Sequence, residues 1–267
     1  MSKINKLPKR KPETNKGDYG RVLIIAGSPG MTGAAVLASR GCLRVGAGLT
    51  YLAVPKGLVN FVDSMTPEVI TLPFEKINNV KPDVAAIGPG LTVSKASRTL
   101  LRSTINALCS TFIIDADGLN NIADEPEIMR KIKNLIITPH PGEMSRLIKK
   151  SVDHIQKNRA AVARETAKRF GCVVVLKGHK TVVADPAGKV FINSTGNPGM
   201  ASGGVGDVLT GMIAGLAGQG LSSFEAASAG VYLHGLAGDL AAREKGEYGL
   251  IASDLVEKIP YAIQKIY

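Results

Sequence analysis

A recurring pattern of short, uninterrupted apolar runs constrains this chain more than any other feature. Val22-Leu23-Ile24-Ile25-Ala26, Leu49-Thr50-Tyr51-Leu52-Ala53-Val54, Asp83-Val84-Ala85-Ala86-Ile87, Thr111-Phe112-Ile113-Ile114-Asp115 and Leu135-Ile136-Ile137-Thr138 carry almost no charge in their interiors. Runs of this length suit strands buried on both faces, where alternation of polar and apolar residues is not needed. Stretches with helical patterning lie among them, from about Ala34 to Val45, from Ala96 to Leu108 and from Asn158 to Phe170. Strand and helix in alternation predict a parallel sheet covered by helices on both faces. The 45% hydrophobic content supplies enough apolar surface for it.

The rhythm changes after Phe170. Cys172-Val173-Val174-Val175-Leu176, Thr181-Val182-Val183-Ala184 and Val190-Phe191-Ile192 are separated only by the short turns Lys177–Lys180 and Asp185–Gly188. Turns this short join antiparallel neighbours, so the sheet is expected to end in an antiparallel edge. The expected fold is a three-layer α/β/α domain spanning residues 1–267, with residues 1–17 as a flexible basic tail. There is no internal repeat and no Pro- or Ser-rich linker to divide it.

No apolar run approaches the roughly 20 residues of a membrane span, and the basic start has no apolar core typical of a signal peptide. The net charge of +11 is concentrated in part in the first 21 residues. With 4% aromatics and no Trp there is little to stack on bases. A solvated tail and attraction of anionic small molecules account for the charge better than nucleic acid does. Cys42, Cys109 and Cys172 are far apart and form no CxxC or zinc spacing, which reads as reduced thiols in a cytoplasmic protein.

In an open α/β sheet, ligands sit beyond the carboxyl ends of the strands. The unusual residues of this chain fall at such ends: Gly27-Ser28-Pro29-Gly30, Gly88-Pro89-Gly90, Asp115-Ala116-Asp117-Gly118 and Thr138-Pro139-His140-Pro141-Gly142-Glu143. Scattered in sequence, they would meet on one rim. The richest segment is Gly203-Gly204-Val205-Gly206-Asp207, followed by the amphipathic run Val208–Leu216. A glycine loop that opens a helix presents backbone N–H groups at the positive end of the dipole, and so suits an anion. Asp207 there reads either as a dipole-favoured helix start or as the base that deprotonates a group attacking a bound phosphate.

The other segments also have two readings each. Lys177-Gly178-His179-Lys180-Thr181 is a nucleotide contact or a solvated hairpin turn. His140, stiffened by Pro139 and Pro141, donates to a substrate or packs its loop. Asp115 and Asp117, two apart, point to one side if the strand continues, and could organise Mg²⁺ through water; otherwise a turn begins at Asp117-Gly118. Gly27–Ala34 is not GxGxxG, but suggests close backbone approach to a ligand near Gly33 and Ala34. GxxxxGK[ST], GxSxG and HExxH are absent from the sequence.

Together these residues resemble the ribokinase-like superfamily, whose anion-hole motif Gly203–Asp207 matches. Within it, Thr138–Glu143, Asp115–Asn120, Gly46–Leu49 and Asn197–Ser202 resemble the ADP-dependent (S)-NAD(P)H-hydrate dehydratases, in order and from about Asp18 to Leu255. The resemblance implies restoration of NADH or NADPH from the form hydrated at C6 of the nicotinamide; epimerase activity is not implied. It implies Asp207 as base for the C6 hydroxyl, with Gly204 and Gly206 among the groups that stabilise the transferring phosphoryl. Lys177, Gly178, His179, Lys180, Thr181 and Gly206 would hold ADP. Ala34, Gly90, His140 and Asp207 would contact the hydrated cofactor. Mg²⁺ would bridge phosphates with no protein ligand set of its own, and relatives of this kind assemble as tetramers. The competing resemblance is to a small-molecule kinase such as a hydroxymethylpyrimidine or hydroxyethylthiazole kinase, which shares the Gly-Gly-x-Gly-Asp element.

Overall fold

A computed structural model describes residues 7, 9–107, 109 and 111–266. Its centre is a nine-stranded sheet made of β1 (Arg21–Ile25), β2 (Leu49–Val54), β3 (Ile70–Pro73), β4 (Val84–Ile87), β5 (Thr111–Ile114), β6 (Asn134–Ile137), β7 (Val173–Leu176), β8 (Val182–Ala184) and β9 (Val190–Ile192). The order across the sheet is β3-β2-β1-β4-β5-β6-β7-β8-β9. Neighbours from β3 to β7 are parallel, and the β7–β8 and β8–β9 pairs are antiparallel. The expected parallel sheet with an antiparallel edge is present.

The apolar runs become strands because both faces are covered. Leu23, Ile25, Ile87, Phe112 and Ile114 point into one buried cluster. Val22, Ile24, Ala86, Ile113 and Ile136 point into the other. Burying one such large side chain contributes about 1.5–3 kcal/mol. Behind the second face lies a helical layer of α1 (Thr32–Arg44), α8 (Val205–Gly218), α9 (Ser223–Lys245) and α10 (Ala252–Gln264). It closes over its own core of Met212, Leu233 and Leu255. The first face is covered by α3 (Lys95–Ala107), α4 (Ala116–Ile122), α5 (Pro141–Ile148), α6 (Val152–Lys157) and α7 (Arg159–Phe170), and the short α2 (Val59–Asp63) adds Val62 to the second face.

Three local expectations change. First, β3 is an extra strand at the sheet edge. Ile70 is 46% exposed and Pro73 ends the strand, so Ile70-Thr71-Leu72-Pro73 lacks the unbroken apolar signature of the interior strands. Second, Val208–Leu216 is not amphipathic, because every residue in it is buried. The helix α8 lies between the sheet, α1 and α9, and so has no solvent face. A Cβ on Gly211 would collide with the Ala38 carbonyl, and one on Gly215 would lie 2.7 Å from the Cys42 carbonyl. These small residues therefore serve packing of α8 on α1 within one chain. Third, β5 stops at Ile114, so Asp115 and Asp117 are not on a strand. Asp115 is the residue preceding α4 and Asp117 lies in the first turn of α4.

Of the basic N-terminal segment, residues 1–6 and 8 lie outside the described residues, as does Leu108 at the expected end of α3. Arg10 donates to the Gly46 carbonyl at 2.6 Å and stacks over Tyr19. The sheet reverses its growth between β1 and β4. Their following loops meet there, with the Gly27 N–H donating to the Pro89 carbonyl at 2.8 Å. Such a switch point is where ligands bind in doubly wound sheets.

Candidate active site

Helix α8 is preceded by Gly204, which takes φ +86°, a left-handed conformation that favours glycine. A Cβ there would also collide with Leu37 of α1. No side chain caps this helix end. The first intrahelical bond comes from Val208 N–H to the Gly204 carbonyl. The N–H groups of Val205, Gly206 and Asp207 precede it, and form a donor cluster at the positive helix end. A Cβ on Gly206 would stand 3.6 Å from Lys177 Nζ, so a cation faces the same loop.

That cation is the centre of a charged cluster. Lys177 Nζ donates to Asp115 Oδ1 at 2.6 Å and lies 3.9 Å from Glu143 Oε2. Asp115 is 1% exposed, and its Oδ2 accepts from Thr210 Oγ1 at 2.6 Å. Burial alone would push the Lys177 ammonium down, but the Asp115 and Glu143 carboxylates outweigh it and hold it above its ordinary value. Burial pushes Asp207 up to about 7, with the Asp115 and Asp117 charges adding to the rise and Lys177 opposing it. Burial also pushes Glu143 up to about 7, again against Lys177. A carboxylate that titrates near neutrality at the mouth of an anion cradle is suited to accept a proton from an attacking hydroxyl.

His140 precedes α5 and caps it. Its Nδ1 accepts from the N–H of Gly142 at 2.9 Å and of Glu143 at 3.4 Å. Glu143 Oε2 returns the bond by accepting from His140 N–H at 2.8 Å. With Nδ1 used as an acceptor, the neutral ring carries its proton on Nε2, which lies 3.3 Å from Glu143 Oε1. Burial, together with Lys177 and Arg146, holds His140 below its ordinary pKa, so it stays neutral. It is built to donate from Nε2 and not to act as a base through Nδ1. Glu143, given no role in sequence, orients it.

The aspartates expected to share a side diverge. Asp115 turns inward to Lys177 and Thr210. Asp117 Oδ2 accepts from Thr92 N–H at 2.9 Å and its Oδ1 accepts from Asn120 Nδ2 at 3.2 Å. Neither carboxylate has two free oxygens for a divalent cation. Among the described residues no group of three or more His, Cys, Asp or Glu is placed to hold a metal ion.

The Lys177–Thr181 segment is split by the fold. Lys177 faces inward, whereas Gly178, His179 and Lys180 are exposed. Gly178 takes φ +137° and Lys180 φ +53°, and Thr181 Oγ1 closes the turn on the Gly178 carbonyl at 2.9 Å. Arg159, which the sequence did not single out, donates to the Leu176 carbonyl at 2.8 Å and the Lys177 carbonyl at 3.2 Å. Ala34 and Gly90 are neighbours: a Cβ on Gly90 would lie 3.1 Å from the Ala34 Cβ. Ala34 is one turn before Leu37, whose side chain touches the Gly204 position.

Helix α9 supports the loop from behind. Asp239 accepts from Gly196 N–H and Asn197 Nδ2, both at 3.0 Å. His234 Nε2 lies 2.8 Å from the Val205 carbonyl, and burial pushes its pKa down to about 4, so the neutral ring donates that bond. Cys42, Cys109 and Cys172 are free thiols. Burial raises Cys42 and Cys172 to about 12 and Cys109 to about 11, which makes them inert at neutral pH.

The profile of the NAD(P)H-hydrate dehydratase family matches residues 22–261. The chain is 42% identical over 280 residues to the bifunctional NAD(P)H-hydrate repair enzyme Nnr of Moorella thermoacetica, covering 98% of this chain and 52% of that protein. It thus spans about half the length of such bifunctional relatives. It is 37% identical over 254 residues to the ADP-dependent (S)-NAD(P)H-hydrate dehydratase of Neisseria meningitidis serogroup B, covering 92% of this chain and 86% of that one. Among solved structures, the ADP/ATP-dependent NAD(P)H-hydrate dehydratase of Bacillus subtilis co-crystallised with ATP/Mg²⁺ superposes with a TM-score of 0.88 at 33% identity, covering 98% and 95% of the two chains. With the anion loop, the inward lysine and the near-neutral aspartate assembled on one ribokinase-like rim, the chain belongs to the NAD(P)H-hydrate dehydratase family.

Proposed function

We propose that this protein returns the S form of hydrated NADH or NADPH to the normal cofactor at the expense of ADP. The observation that carries the reading is Asp207, pushed up to about 7 in the first turn of α8, where uncapped backbone donors and Lys177 converge. Asp207 takes the proton of the C6 hydroxyl as that oxygen attacks the terminal phosphorus of ADP, and the bond to the bridging oxygen breaks to leave AMP. A hydroxide is a poor leaving group, whereas the resulting phosphate ester is a good one. Phosphate departs with the C6–O electron pair, the ring nitrogen lone pair assists, and transfer of a C5 proton to the departing phosphate forms the C5–C6 double bond. The Gly203–Gly206 backbone and Lys177 stabilise charge on the phosphoryl group in flight. His140 donates from Nε2 to the hydrated cofactor, and Ala34 and Gly90 leave room for its approach. Gly178, His179, Lys180 and Thr181 border the nucleotide.

Mg²⁺ bound to the phosphates would neutralise their charge. A cytoplasmic setting, read from the reduced cysteines, and a homotetrameric assembly, implied by the family resemblance, belong to the same proposal. Among the described residues no helix is long and apolar enough to cross a membrane. Incubation with hydrated NADH, Mg²⁺ and ADP or ATP tests the reading. Recovery of reduced-nicotinamide absorbance with release of free phosphate is expected. No recovery with either nucleotide would defeat it, and a stable phosphorylated product from a small alcohol would replace it with a kinase assignment.

A further inference from the structure

We propose that Thr210 and Asp115 are positioning residues for phosphoryl transfer, together clasping the Lys177 ammonium to the first turn of α8. This rests on the function proposed above and deepens it. Thr210 is fully buried, three residues beyond Asp207 and four beyond Gly206 on the same helix. It therefore shares the rigid frame of the anion loop. Its hydroxyl has one proton to give. The bond to Asp115 Oδ2 is 2.6 Å, whereas the Gly206 carbonyl is 3.3 Å away, so the carboxylate takes it. The other oxygen of Asp115 takes Lys177 at 2.6 Å. Asp115 is thus a two-ended clasp between a helix and a strand end, 95 and 62 positions away in sequence.

Two features show that Asp115 is committed to this task. An aspartate preceding a helix ordinarily caps it by accepting from a first-turn N–H. Asp115 makes no such bond to α4. The next residue, Ala116, holds φ +46°, a left-handed conformation that disfavours a residue with a Cβ. The chain gives up a cap and accepts backbone strain at the point where the carboxylate turns toward Lys177. The ammonium so held faces Gly206, where an added Cβ would stand 3.6 Å from it. Without the clasp, Lys177 has a flexible four-carbon stem, placed by the longer 3.9 Å contact with Glu143 and the charge of Asp207.

A purely structural threonine would contribute stability and nothing else, so the test separates the two roles. Wild type, Thr210→Ser, Thr210→Cys and Thr210→Val are assayed with hydrated NADH, ADP and Mg²⁺, and labelling of Lys177 by an amine-reactive anhydride is followed by mass spectrometry. The valine variant keeps the shape and loses the donor. Its kcat is expected to fall roughly 10- to 100-fold with both KM values within about threefold of wild type, since geometry and not binding is lost. Serine restores kcat, and cysteine, a weaker donor, falls between. Lys177 labelling is expected to rise severalfold in the valine variant. If valine fails to fold, cysteine against serine gives the same comparison. Wild-type kcat in the valine or cysteine variant, or a serine variant as slow as valine, overturns the clasp. A wild type without turnover defeats the proposed function instead, and the labelling ratio then decides the clasp alone: unchanged labelling overturns it.

Discussion

Lys177 Nζ and Asp115 Oδ1 stand 2.6 Å apart across 62 positions of sequence, and this pair ties the end of β5 to the end of β7. Asp115 is 1% exposed and the Lys177 side chain 18% exposed. Two charges taken out of water this far are held by each other and by Thr210, Glu143 and Asp207. The pair is more than a stabilising contact, because removing either partner would leave the other charge uncompensated.

Lys177→Met should therefore destabilise the fold by about 3–5 kcal/mol. Adding Asp115→Asn removes the orphaned charge, so the double variant should be less destabilised than the sum of the singles by at least about 1 kcal/mol. Urea denaturation of the four proteins measures this coupling. Additivity would mean that solvent or another group already compensates Asp115.

Asp207→Asn should slow turnover by roughly 10²–10⁴ with the fold intact. Stability should respond with a definite sign. The folded pKa is raised from 3.8 to about 7, so between those values the native state binds more protons than the unfolded chain. Asp207 thus favours the fold at low pH and loses that contribution as pH rises through about 7, at no more than about 1.4 kcal/mol per pH unit. The asparagine variant should gain stability relative to wild type across that window, and by a constant amount above it. Paired denaturation curves from pH 4 to 8 check the trend.

His234 should do the opposite. Its folded pKa is lowered to about 4, so the native state binds fewer protons than the unfolded chain between about 4 and 6.5. The stability it contributes is present above pH 6.5 and lost as pH falls toward 4. His234→Gln should flatten that acid-side loss in the same denaturation series.

The acidic limb of kcat/KM should lie near pH 7 if Asp207 is the base. Asp117 raises Asp207 through its charge. Asp117→Asn keeps an oxygen to accept from Thr92 N–H, removes the charge, and should shift the limb to lower pH. A limb that stays in place, measured with saturating ADP, would assign the titration to another group.

Gly206→Ala and Gly211→Ala should separate catalysis from packing. At Gly206 the nearest atom to an added Cβ is Lys177 Nζ at 3.6 Å, so the fold should survive while the anion cradle is obstructed and turnover falls by roughly 10-fold or more. At Gly211 an added Cβ meets the Ala38 backbone, and overpacking of about 1–3 kcal/mol or more is expected in thermal unfolding.

The apolar runs of β1, β4, β5 and β6 were legible as buried strands because each residue in them is apolar for a local reason, burial on two faces. The glycine loop before α8 was legible in the same way, since glycine without a side chain marks backbone exposed at a helix end. The edge strand β3 was missed because partial exposure and Pro73 erase that pattern. Val208–Leu216 was misjudged because the apolar stripe of a helix does not reveal how many neighbours will cover it. Asp207 could be singled out by position alone, but not the partner of Lys177. Asp115, Glu143 and Thr210 come from β5's end, α5 and α8. Their meeting is set by the parallel register of β5, β6 and β7 and by the depth to which α8 packs on α1. Local chemistry along the chain determined the elements and the loop. Only the folded sheet decided which charges are buried together, because burial, and with it the shift of Asp207 toward neutrality, is a property of neighbours brought from far along the sequence.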